Sequence, residues 1–353
     1  MVLAAASTIF FMYQDGQNVY VGRPQKIPII VTWTPFFSMD LKRTLLPTLN
    51  NCPYKCHVIN RRELKLFQQN ASAYVIHGRD MIITDLPPTT QDQLKVLMLM
   101  ESPHHTGSAI YKIPRNYFNA TMTYRRDSRY FYPYGQFVTL APHDEEKKGV
   151  VVPQQKILGA LKKKTRGSLV FVSNCNTPSK RESLIKELAH HTEITVRGGC
   201  EGRLSYGNDT RGFACTRDCD DDALIATHRF YISFENSLCN DYITEKFYSR
   251  ISQLLVPVVV KRRIYEAADI PPGSFVALDD FNSIKELGNY LNFLRKNDTE
   301  YLRYFEWIKH YRLPSTYKSN ALCKLCEDIH RKEAFVVEDI IQHYIHNQCL
   351  DKA

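Results

Sequence analysis

The sequence of 353 residues lacks both glycine-rich fingerprints that commonly mark nucleotide-binding proteins. Neither G-x-G-x-x-G nor G-x-x-x-x-G-K-[ST] occurs in it, so a dinucleotide-binding turn and a P-loop are both unsupported. No apolar run reaches the roughly 20 residues that a membrane-spanning helix needs. Glycine and proline occur only 15 and 17 times, which excludes collagen-like and low-complexity chains. Hydrophobic residues, at 44%, are enough for a sizeable core.

The N-terminus also lacks the features of a complete targeting segment. The apolar stretch from Val2 to Tyr13 is too short to span a bilayer. The first basic residue is Arg23, so the basic n-region of a signal peptide is missing. The polar residues 14–26 predict a stem or linker. Two interpretations stay open for the first residues: the trimmed lumenal end of a signal anchor, or simply an apolar N-terminal segment.

Charge and cysteine content indicate the kind of partner and compartment. Lys and Arg number 46 against 37 Asp and Glu, and this net charge of +9 favours anionic partners. The charge runs at 143–149 and 162–166 contain no interleaved aromatic residues, so we interpret them as solvated helix faces or linkers and expect no nucleic-acid binding. Ten cysteines favour an oxidising compartment. Four N-x-S/T sequons support the secretory pathway, at Asn70, Asn119, Asn208 and Asn297.

The first half of the chain has the pattern of an α/β domain. Apolar, β-branched runs at 27–32, 73–76 and 94–100 predict buried strands separated by polar stretches. A charge-rich segment near residue 145 then breaks this pattern. We therefore expect a first domain at 27–145 and a second domain at 146–353, consistent with the usual 100–200 residues per domain.

The second half alternates strands and helices more clearly. Strands are predicted at 168–173, 230–234 and 256–260, and S-x-x-E capping boxes at Ser179 and Ser283 predict the starts of amphipathic helices. This alternation predicts a parallel, doubly wound sheet, whose ligands bind beyond the carboxyl ends of the strands.

Two basic residues lie in the predicted first turns of helices in this half, Arg181 and Lys246. Helix N-termini attract phosphate, so two converging cations would suit a diphosphate. The alternative is that both are ordinary surface charges on amphipathic helices.

The segment from Phe230 to Phe247 reads F-Y-I-S-F-E-N-S-L-C-N-D-Y-I-T-E-K-F, and we call it the signature segment. It resembles the signature of the α1,3-fucosyltransferases over its whole length. Further matches extend from about residue 27 to 326. They include E-S-P from Glu101, Y-R-R-D-S from Tyr124, P-Y-G from Pro133, V-S-N from Val172 with Arg181, and V-P-V-V from Val256.

The resemblance implies a GT-B fold, in which two Rossmann-like α/β domains face each other across a cleft. It implies GDP-fucose as the donor, held by the second domain, and an acceptor held mainly by the first. It also implies inversion at the anomeric carbon. The matching positions are Glu101 as the general base, Arg181 and Lys246 as cations for the diphosphate, and Asn236, Tyr242 and Glu245 as donor contacts.

The acceptor is less specified than the donor. Val172-Ser-Asn-Cys175 and the cysteine-rich stretch at 200–219 resemble the core-type branch, which fucosylates the innermost GlcNAc of N-glycans. The Lewis-type branch, which acts on antennal GlcNAc, is the alternative. We favour the core type and expect a glycoprotein of the Golgi lumen with a type II membrane anchor. A non-catalytic protein that binds glycan or nucleotide sugar is the alternative from another class.

No metal is expected to be required, because protein cations would meet the diphosphate; stimulation by Mn²⁺ is left open. Asp220-Asp-Asp222 has a D-x-D spacing, which we interpret as a solvated loop or helix start. For Cys323 and Cys326 the resemblance implies a disulfide within the C-x-x-C pair rather than a zinc site. At least one bridge is expected among Cys200, Cys215, Cys219 and Cys239, and Cys52 and Cys56 are candidates for another.

Overall fold

Two parallel β-sheets, one in each half of the chain, organise the protein. The computed structural model describes residues 26–67, 70–88, 90, 92–141, 154–200, 204, 221–313 and 319–350. A short antiparallel pair joins β7 (Val138–Thr139), which follows the first sheet, to β13 (Tyr311–Arg312), which follows the second. The α/β class with parallel sheets, predicted from the alternation of strands and helices, is confirmed.

The first sheet has six strands in the order β2-β1-β3-β4-β5-β6, and all neighbours pair in parallel. Its strands are β1 (Ile29–Thr32), β2 (His57–Asn60), β3 (Ala73–His77), β4 (Leu94–Leu99), β5 (Ala120–Thr123) and β6 (Tyr130–Phe131). Every residue of β1, β3 and β5 is buried, as expected for parallel strands covered on both faces. Helix α1 (Leu41–Leu45) and short 3-10 turns connect the strands.

The second sheet has the order β12-β11-β10-β8-β9, so the strand order reverses beside β8. Its strands are β8 (Arg166–Phe171), β9 (Ile194–Arg197), β10 (His228–Ile232), β11 (Val256–Val259) and β12 (Val276–Ala277). The crevice between the carboxyl ends of β8 and β10 is therefore the topological switch point of this sheet, where ligands bind in open α/β folds.

Among the described residues, seven helices precede, separate or follow these strands between residues 154 and 302, and two of them test the predicted capping boxes. They are α2 (Gln154–Leu161), α3 (Arg181–Leu188), α4 (Asp221–Thr227), α5 (Glu245–Ser252), α6 (Arg262–Ala267), α7 (Ile284–Lys296) and α8 (Asp298–Leu302). The Ser283 hydroxyl caps α7 by accepting from the Glu286 N–H, which confirms that start. The box at Ser179 is wrong, because its hydroxyl donates to the Glu235 carbonyl instead, at 2.6 Å.

The C-terminal segment returns to the first sheet. Helices α9 (Ala321–Arg331) and α10 (Ile340–Tyr344) place Leu322, Leu325 and Tyr344 in the core of the first half. The prediction that all of 146–353 belongs to the second domain is therefore wrong for this segment. The reason is that the apolar faces of both helices are buried against the first sheet, although they follow the second sheet in sequence.

The disulfides connect distant parts of the chain rather than neighbours. Cys52 bonds Cys323 and Cys56 bonds Cys326, so all four predicted candidates are in disulfides, but the bridge expected within the C-x-x-C pair is wrong. Both sulfurs of the pair project from α9 onto the loop that precedes β2.

Two further bridges involve the cysteines around the signature segment. Cys200 bonds Cys175, and Cys239 bonds Cys349, so the predicted further bridge exists but with partners outside the predicted set. The other two candidates, Cys215 and Cys219, lie outside the described residues.

Lys164 and Asn119, both expected at the surface, have side chains that bond inside the fold, whereas Asn70 is exposed. Lys164, in one predicted solvated charge run, is buried; its ammonium donates to the carbonyls of Ile225 and His228, and burial lowers its pKa to about 8. Asn70 is exposed, whereas the Asn119 side chain accepts from Lys95 N–H and donates to the Phe335 carbonyl. The Asn119 nitrogen is thus in use inside the fold, which argues against glycosylation there.

The other two sequons are at Asn297 and Asn208, and a membrane-spanning helix was also considered. Asn297 is half-buried and caps α8, and Asn208 lies outside the described residues. None of the helices in the described residues has the length and apolar character to cross a membrane. The N-terminal segment at 1–25, where an anchor was considered, is not among the described residues.

Candidate active site

Glu101 follows β4, one of the two inner central strands of the first sheet, where the chain leaves the sheet. The main chain there is held by two tyrosines: Tyr134 donates its O–H to the Met100 carbonyl at 2.6 Å, and Tyr344 donates to the Glu101 carbonyl at 2.7 Å. The carboxylate itself is half-buried. Glu101 thus lies at the carboxyl edge of the first sheet, and its role as a base stays a prediction.

The signature segment reaches across to this carboxylate. The Tyr242 hydroxyl lies 3.4 Å from Glu101 Oε2, and burial raises the pKa of Tyr242 well above its usual value near 10. One residue along, the Ser102 hydroxyl donates to Ser237 Oγ at 2.8 Å. His105 lies beside both, with Nδ1 3.1 Å from Ser102 Oγ. The predicted base and the predicted donor motif therefore meet at one place.

Lys246 lies in the first turn of α5, where Thr244 caps the helix. Its ammonium is 3.0 Å from Glu245 Oε1, 3.3 Å from Glu235 Oε2 and 3.0 Å from Thr244 Oγ1. Burial acts to lower the pKa of Lys246, but the two carboxylates outweigh it and raise that pKa. The side chain is thus a persistent cation that is one-fifth exposed toward the cleft.

Glu235 was missed as a functional residue, although it belongs to the signature segment. It is buried, and it accepts from the N–H and the hydroxyl of Thr244, both at 2.8 Å, as well as lying beside Lys246. Burial raises its pKa above the usual value for a glutamate, against the opposing effect of Lys246. A usable signal in the sequence is an acidic residue within the apolar segment at the end of a buried strand, where a carboxylate needs a cation.

Arg181 is the first residue of α3, beside the switch point of the second sheet. Its guanidinium is buried and donates to the Phe234 carbonyl at 3.0 Å and the Asn174 carbonyl at 3.3 Å. Its Nε has no hydrogen-bond partner among the described residues. Burial lowers its pKa, against the effect of Glu235. Arg181 and Lys246 therefore flank residues 234–235, which brings the two predicted diphosphate cations together.

The other two predicted donor contacts lie in the same crevice. Glu245 lies at the mouth, with its side chain about three-fifths exposed, and Lys246 lowers its pKa against the effect of burial. Asn236 is half-buried, its carbonyl accepts from Ser179 N–H, and its Oδ1 is buried without a partner in the described part of the chain. An unpaired buried acceptor suits a ligand hydroxyl or N–H group.

Candidate metal ligands among the described residues have the following positions. Asp221 and Asp222 begin α4, as the predicted helix start, while Asp220 lies outside the described residues. Two groups of three sulfur or imidazole ligands lie near one another among the described residues, but each includes cysteines that are joined in disulfides. The charge compensation available to an anion in the described crevice comes from Lys246 and Arg181.

A recess of about 340 Å³ opens at the carboxyl ends of β1 and β2, on the same edge of the first sheet as Glu101. Its lining combines the Trp33 ring, the Asn60 amide, Asp40 and Arg61. The Arg61 guanidinium lies 4.1 Å from the centroid of the Trp33 ring. An aromatic face beside amide, carboxylate and guanidinium groups is a surface that can bind a sugar with many hydroxyls.

Comparison with known protein families gives two matches that together span most of the chain. The family model described as glycosyltransferase family 10 (fucosyltransferase), C-terminal, matches residues 161–343. The model described as fucosyltransferase, N-terminal, matches residues 25–135.

Individual relatives agree with the family models. Alpha-(1,3)-fucosyltransferase fut-1 of Caenorhabditis elegans is 35% identical over 82% of this chain, and the match spans 60% of that protein. Alpha-(1,3)-fucosyltransferase C of Drosophila melanogaster is 33% identical over 87% of this chain and 74% of its own length. Human 4-galactosyl-N-acetylglucosaminide 3-alpha-L-fucosyltransferase FUT6 is 31% identical over 94% of this chain and 90% of its own length.

Solved structures agree on the fold. A crystal structure of an α1,3-fucosyltransferase with GDP-fucose has a TM-score of 0.53, with 14% identity, over 95% of this chain and 96% of that one. The same enzyme class with GDP gives a TM-score of 0.52 over 90% of this chain and 95% of that one. The predicted GT-B fold is confirmed. With both family models matched and the signature segment at the centre of the crevice, the chain belongs to the α1,3-fucosyltransferases of glycosyltransferase family 10.

Proposed function

We propose that this chain transfers L-fucose from GDP-β-L-fucose to the 3-hydroxyl of GlcNAc in N-glycans, with inversion at the anomeric carbon. The observation that carries the proposal is the contact of Tyr242 with Glu101, which joins the donor motif of one half to a carboxylate of the other. A base and a donor site on opposite sides of a cleft are what a single in-line displacement needs.

The proposed step is one displacement at the anomeric carbon. The Glu101 carboxylate accepts the proton of the acceptor hydroxyl while the acceptor oxygen bonds to that carbon from the face opposite the diphosphate. The bond from the carbon to the phosphate oxygen breaks, and its electron pair leaves with GDP. Lys246 and Arg181 stabilise the negative charge that builds on the leaving diphosphate, at no cost in reorganisation.

Donor binding places the remaining crevice residues in the proposal. The Asn236 Oδ1, which lacks a partner in the described chain, would accept from a donor hydroxyl or N–H group. Glu245 lies at the exposed mouth, where it would accept from a sugar hydroxyl or face the positive charge of the oxocarbenium-like sugar. No metal is required in this proposal, because Lys246 and Arg181 supply the positive charge.

The acceptor would lie along the carboxyl edge of the first sheet, from Glu101 to the recess at Trp33. We propose the innermost GlcNAc of N-glycans as the acceptor, since the loop after β8 is bonded to the cysteine-rich stretch through Cys175 and Cys200, the features that resemble the core-type branch. Antennal GlcNAc is the second candidate. Two relatives favour it: human FUT6 and mouse 4-galactosyl-N-acetylglucosaminide 3-alpha-L-fucosyltransferase 9 both carry names that specify a 4-galactosyl-N-acetylglucosaminide acceptor.

The cellular setting is also a proposal. Four disulfides among the described cysteines support folding in an oxidising lumen, and the exposed sequon at Asn70 is available for glycosylation. We propose the Golgi lumen, where GDP-fucose and N-glycans would meet the enzyme, with a type II anchor at the N-terminal side of the catalytic chain.

A GDP-release assay with a panel of N-glycans tests these proposals together. We expect release with a glycan whose innermost GlcNAc is free at the 3-hydroxyl, in EDTA as well as in Mn²⁺. Release only with galactosylated antennae would replace the core acceptor by the Lewis type, and release only with metal would overturn the metal-free site. GDP binding without turnover on any glycan would favour the non-catalytic alternative.

A further inference from the structure

The C-terminal residues 339–350 form a strap that links the two halves beside the active site. At one end, Ile340 and Tyr344 are buried in the core of the first half. At the other end, the strap pairs with the signature segment: Leu350 N–H donates to the Leu238 carbonyl at 2.7 Å. The Asn240 N–H donates to the Gln348 carbonyl at 2.8 Å, and Cys239 bonds Cys349 between these two hydrogen bonds.

Tyr344, in the middle of this strap, is fixed from several sides. It is fully buried, and its hydroxyl donates to the Glu101 carbonyl at 2.7 Å. The Arg125 guanidinium lies 5.6 Å from the centroid of its ring and also donates to the His343 carbonyl at 2.6 Å. A side chain with its ring and its hydroxyl both engaged has one position available, so it can transmit that position to Glu101.

The main chain at Glu101 needs such a donor because it has left the sheet. Strand β4 ends at Leu99, so the next two carbonyls have no partner in a strand ladder. Tyr134 serves the Met100 carbonyl and Tyr344 serves the Glu101 carbonyl. Two consecutive carbonyls are thus bound by side chains from two separate segments, Tyr134 in the first half and Tyr344 in the C-terminal strap.

We propose that Tyr344 is a positioning residue for the base, and that the strap sets its place relative to the donor motif. The inference rests on the proposed function of Glu101. The strap contacts the Glu101 carbonyl through Tyr344 and the signature segment through Cys349. It therefore constrains the distance between the proposed base and the donor motif. Misplacement of a reacting group by about 1 Å can reduce a rate by about 100-fold.

The first test compares Tyr344→Phe with Tyr301→Phe. Tyr301 is a matched control: it is also buried, and its hydroxyl donates to the Arg229 carbonyl at the same 2.7 Å, but in the second half and away from Glu101. Both variants remove one buried O–H donor and keep the ring. We expect kcat for transfer to fall at least tenfold only in Tyr344→Phe, with the dissociation constant of GDP changed less than twofold in both.

The second test cuts the strap at its other end. The double variant Cys239→Ser with Cys349→Ser should lower kcat at least threefold, while KM for GDP-fucose stays within a factor of two. The control is Cys52→Ser with Cys323→Ser, since the neighbouring bridge from Cys56 still holds the same helix. This control should lower the melting temperature without a change in kcat.

The outcomes separate the strap from the proposed base. If Glu101→Gln abolishes transfer but Tyr344→Phe matches either the wild type or Tyr301→Phe in kcat, the positioning role is wrong and the base stands. If Glu101→Gln keeps wild-type transfer, the base itself is wrong. A Tyr344→Phe protein that no longer binds GDP would also overturn the inference, because a general folding role would then explain its effect.

Discussion

The two sides of the cleft hold their charged groups in opposite ways. On the side of the first sheet, the Glu101 carboxylate meets the hydroxyl of Tyr242, and its main chain meets the hydroxyl of Tyr344. It forms no ion pair with any described residue. On the side of the second sheet, Lys246 lies between the carboxylates of Glu235 and Glu245.

This difference follows from what each group has to do in the proposed reaction. A base must accept a proton, and a cation beside it would stabilise the carboxylate and oppose protonation. Tyr242 at the carboxylate and Tyr344 at the main-chain carbonyl hold Glu101 without an ion pair. A cation that binds a diphosphate must stay charged while partly buried, and the two carboxylates keep Lys246 in that state. Uncharged partners suit the group that changes its charge, and charged partners suit the group that keeps it.

The largest effect is expected when the first-sheet side loses its proposed base. Glu101→Gln keeps the shape and the contact with Tyr242 but cannot accept a proton, so transfer should fall by about 10²–10⁴-fold, the usual contribution of a general base. GDP should still bind as to the wild type, which isothermal calorimetry would show. Transfer at the wild-type rate would remove Glu101 from the mechanism and end the contrast between the two sides.

On the side of the second sheet, loss of the Lys246 cation should weaken GDP binding as well as slow transfer. Lys246→Ala removes a charge-assisted contact worth about 1.5–3 kcal/mol, so GDP affinity should fall about 10- to 100-fold. It also leaves the buried Glu235 carboxylate without its cation, which should lower the melting temperature. Lys285→Ala, on the exposed start of α7, is the control for net charge. Unchanged GDP affinity in Lys246→Ala would contradict the role of this lysine.

The donor side was largely predictable because its residues are contiguous. Strand β10, the turn with Asn236 and Tyr242, and the start of α5 with Lys246 all fall within one signature segment. Glu235 was overlooked there because its role depends on burial, which a sequence motif does not state. The false capping box at Ser179 has the same origin: its hydroxyl bonds the main chain of the neighbouring strand end, a contact 56 residues away.

The acceptor side was less predictable because it is assembled from distant segments. Glu101 was found through a three-residue match, but Tyr344, its main-chain partner, lies 243 residues away and no local pattern marks it. The disulfides failed for the same reason. Cys323 and Cys326 look like a pair in sequence, yet both project from one face of α9 onto partners about 270 residues away.

This assembly from distant segments gives the smallest of the three expected effects, at Asp328 of α9. Asp328 is fully buried; Arg129 Nε donates to its carboxylate at 2.7 Å and Tyr130 O–H at 3.0 Å. Burial acts to raise its pKa, but the bonds from Arg129, Lys324 and Tyr130 outweigh it and lower that pKa below the usual range. The charged carboxylate therefore stabilises the fold at neutral pH, fixing the C-terminal segment to the first sheet.

The sign of the pH effect follows from that direction. Since the folded pKa lies below the unfolded one, the contribution is complete above the ordinary pKa of an aspartate, about 3.9, and is lost as pH falls through the folded value. Asp328→Asn should cost about 1–2 kcal/mol at pH 7, less than for a fully buried pair because Arg129 is one-third exposed. The difference in melting temperature from the wild type should shrink below pH 4. Asp298→Asn removes the mostly exposed partner of Arg229, whose guanidinium keeps its bonds to the carbonyls of Lys164 and Leu294, so it should cost less than Asp328→Asn. If both variants lose the same free energy of unfolding at pH 7, the Asp328 carboxylate does not stabilise the packing of the C-terminal segment on the first sheet more than an ordinary ion pair would.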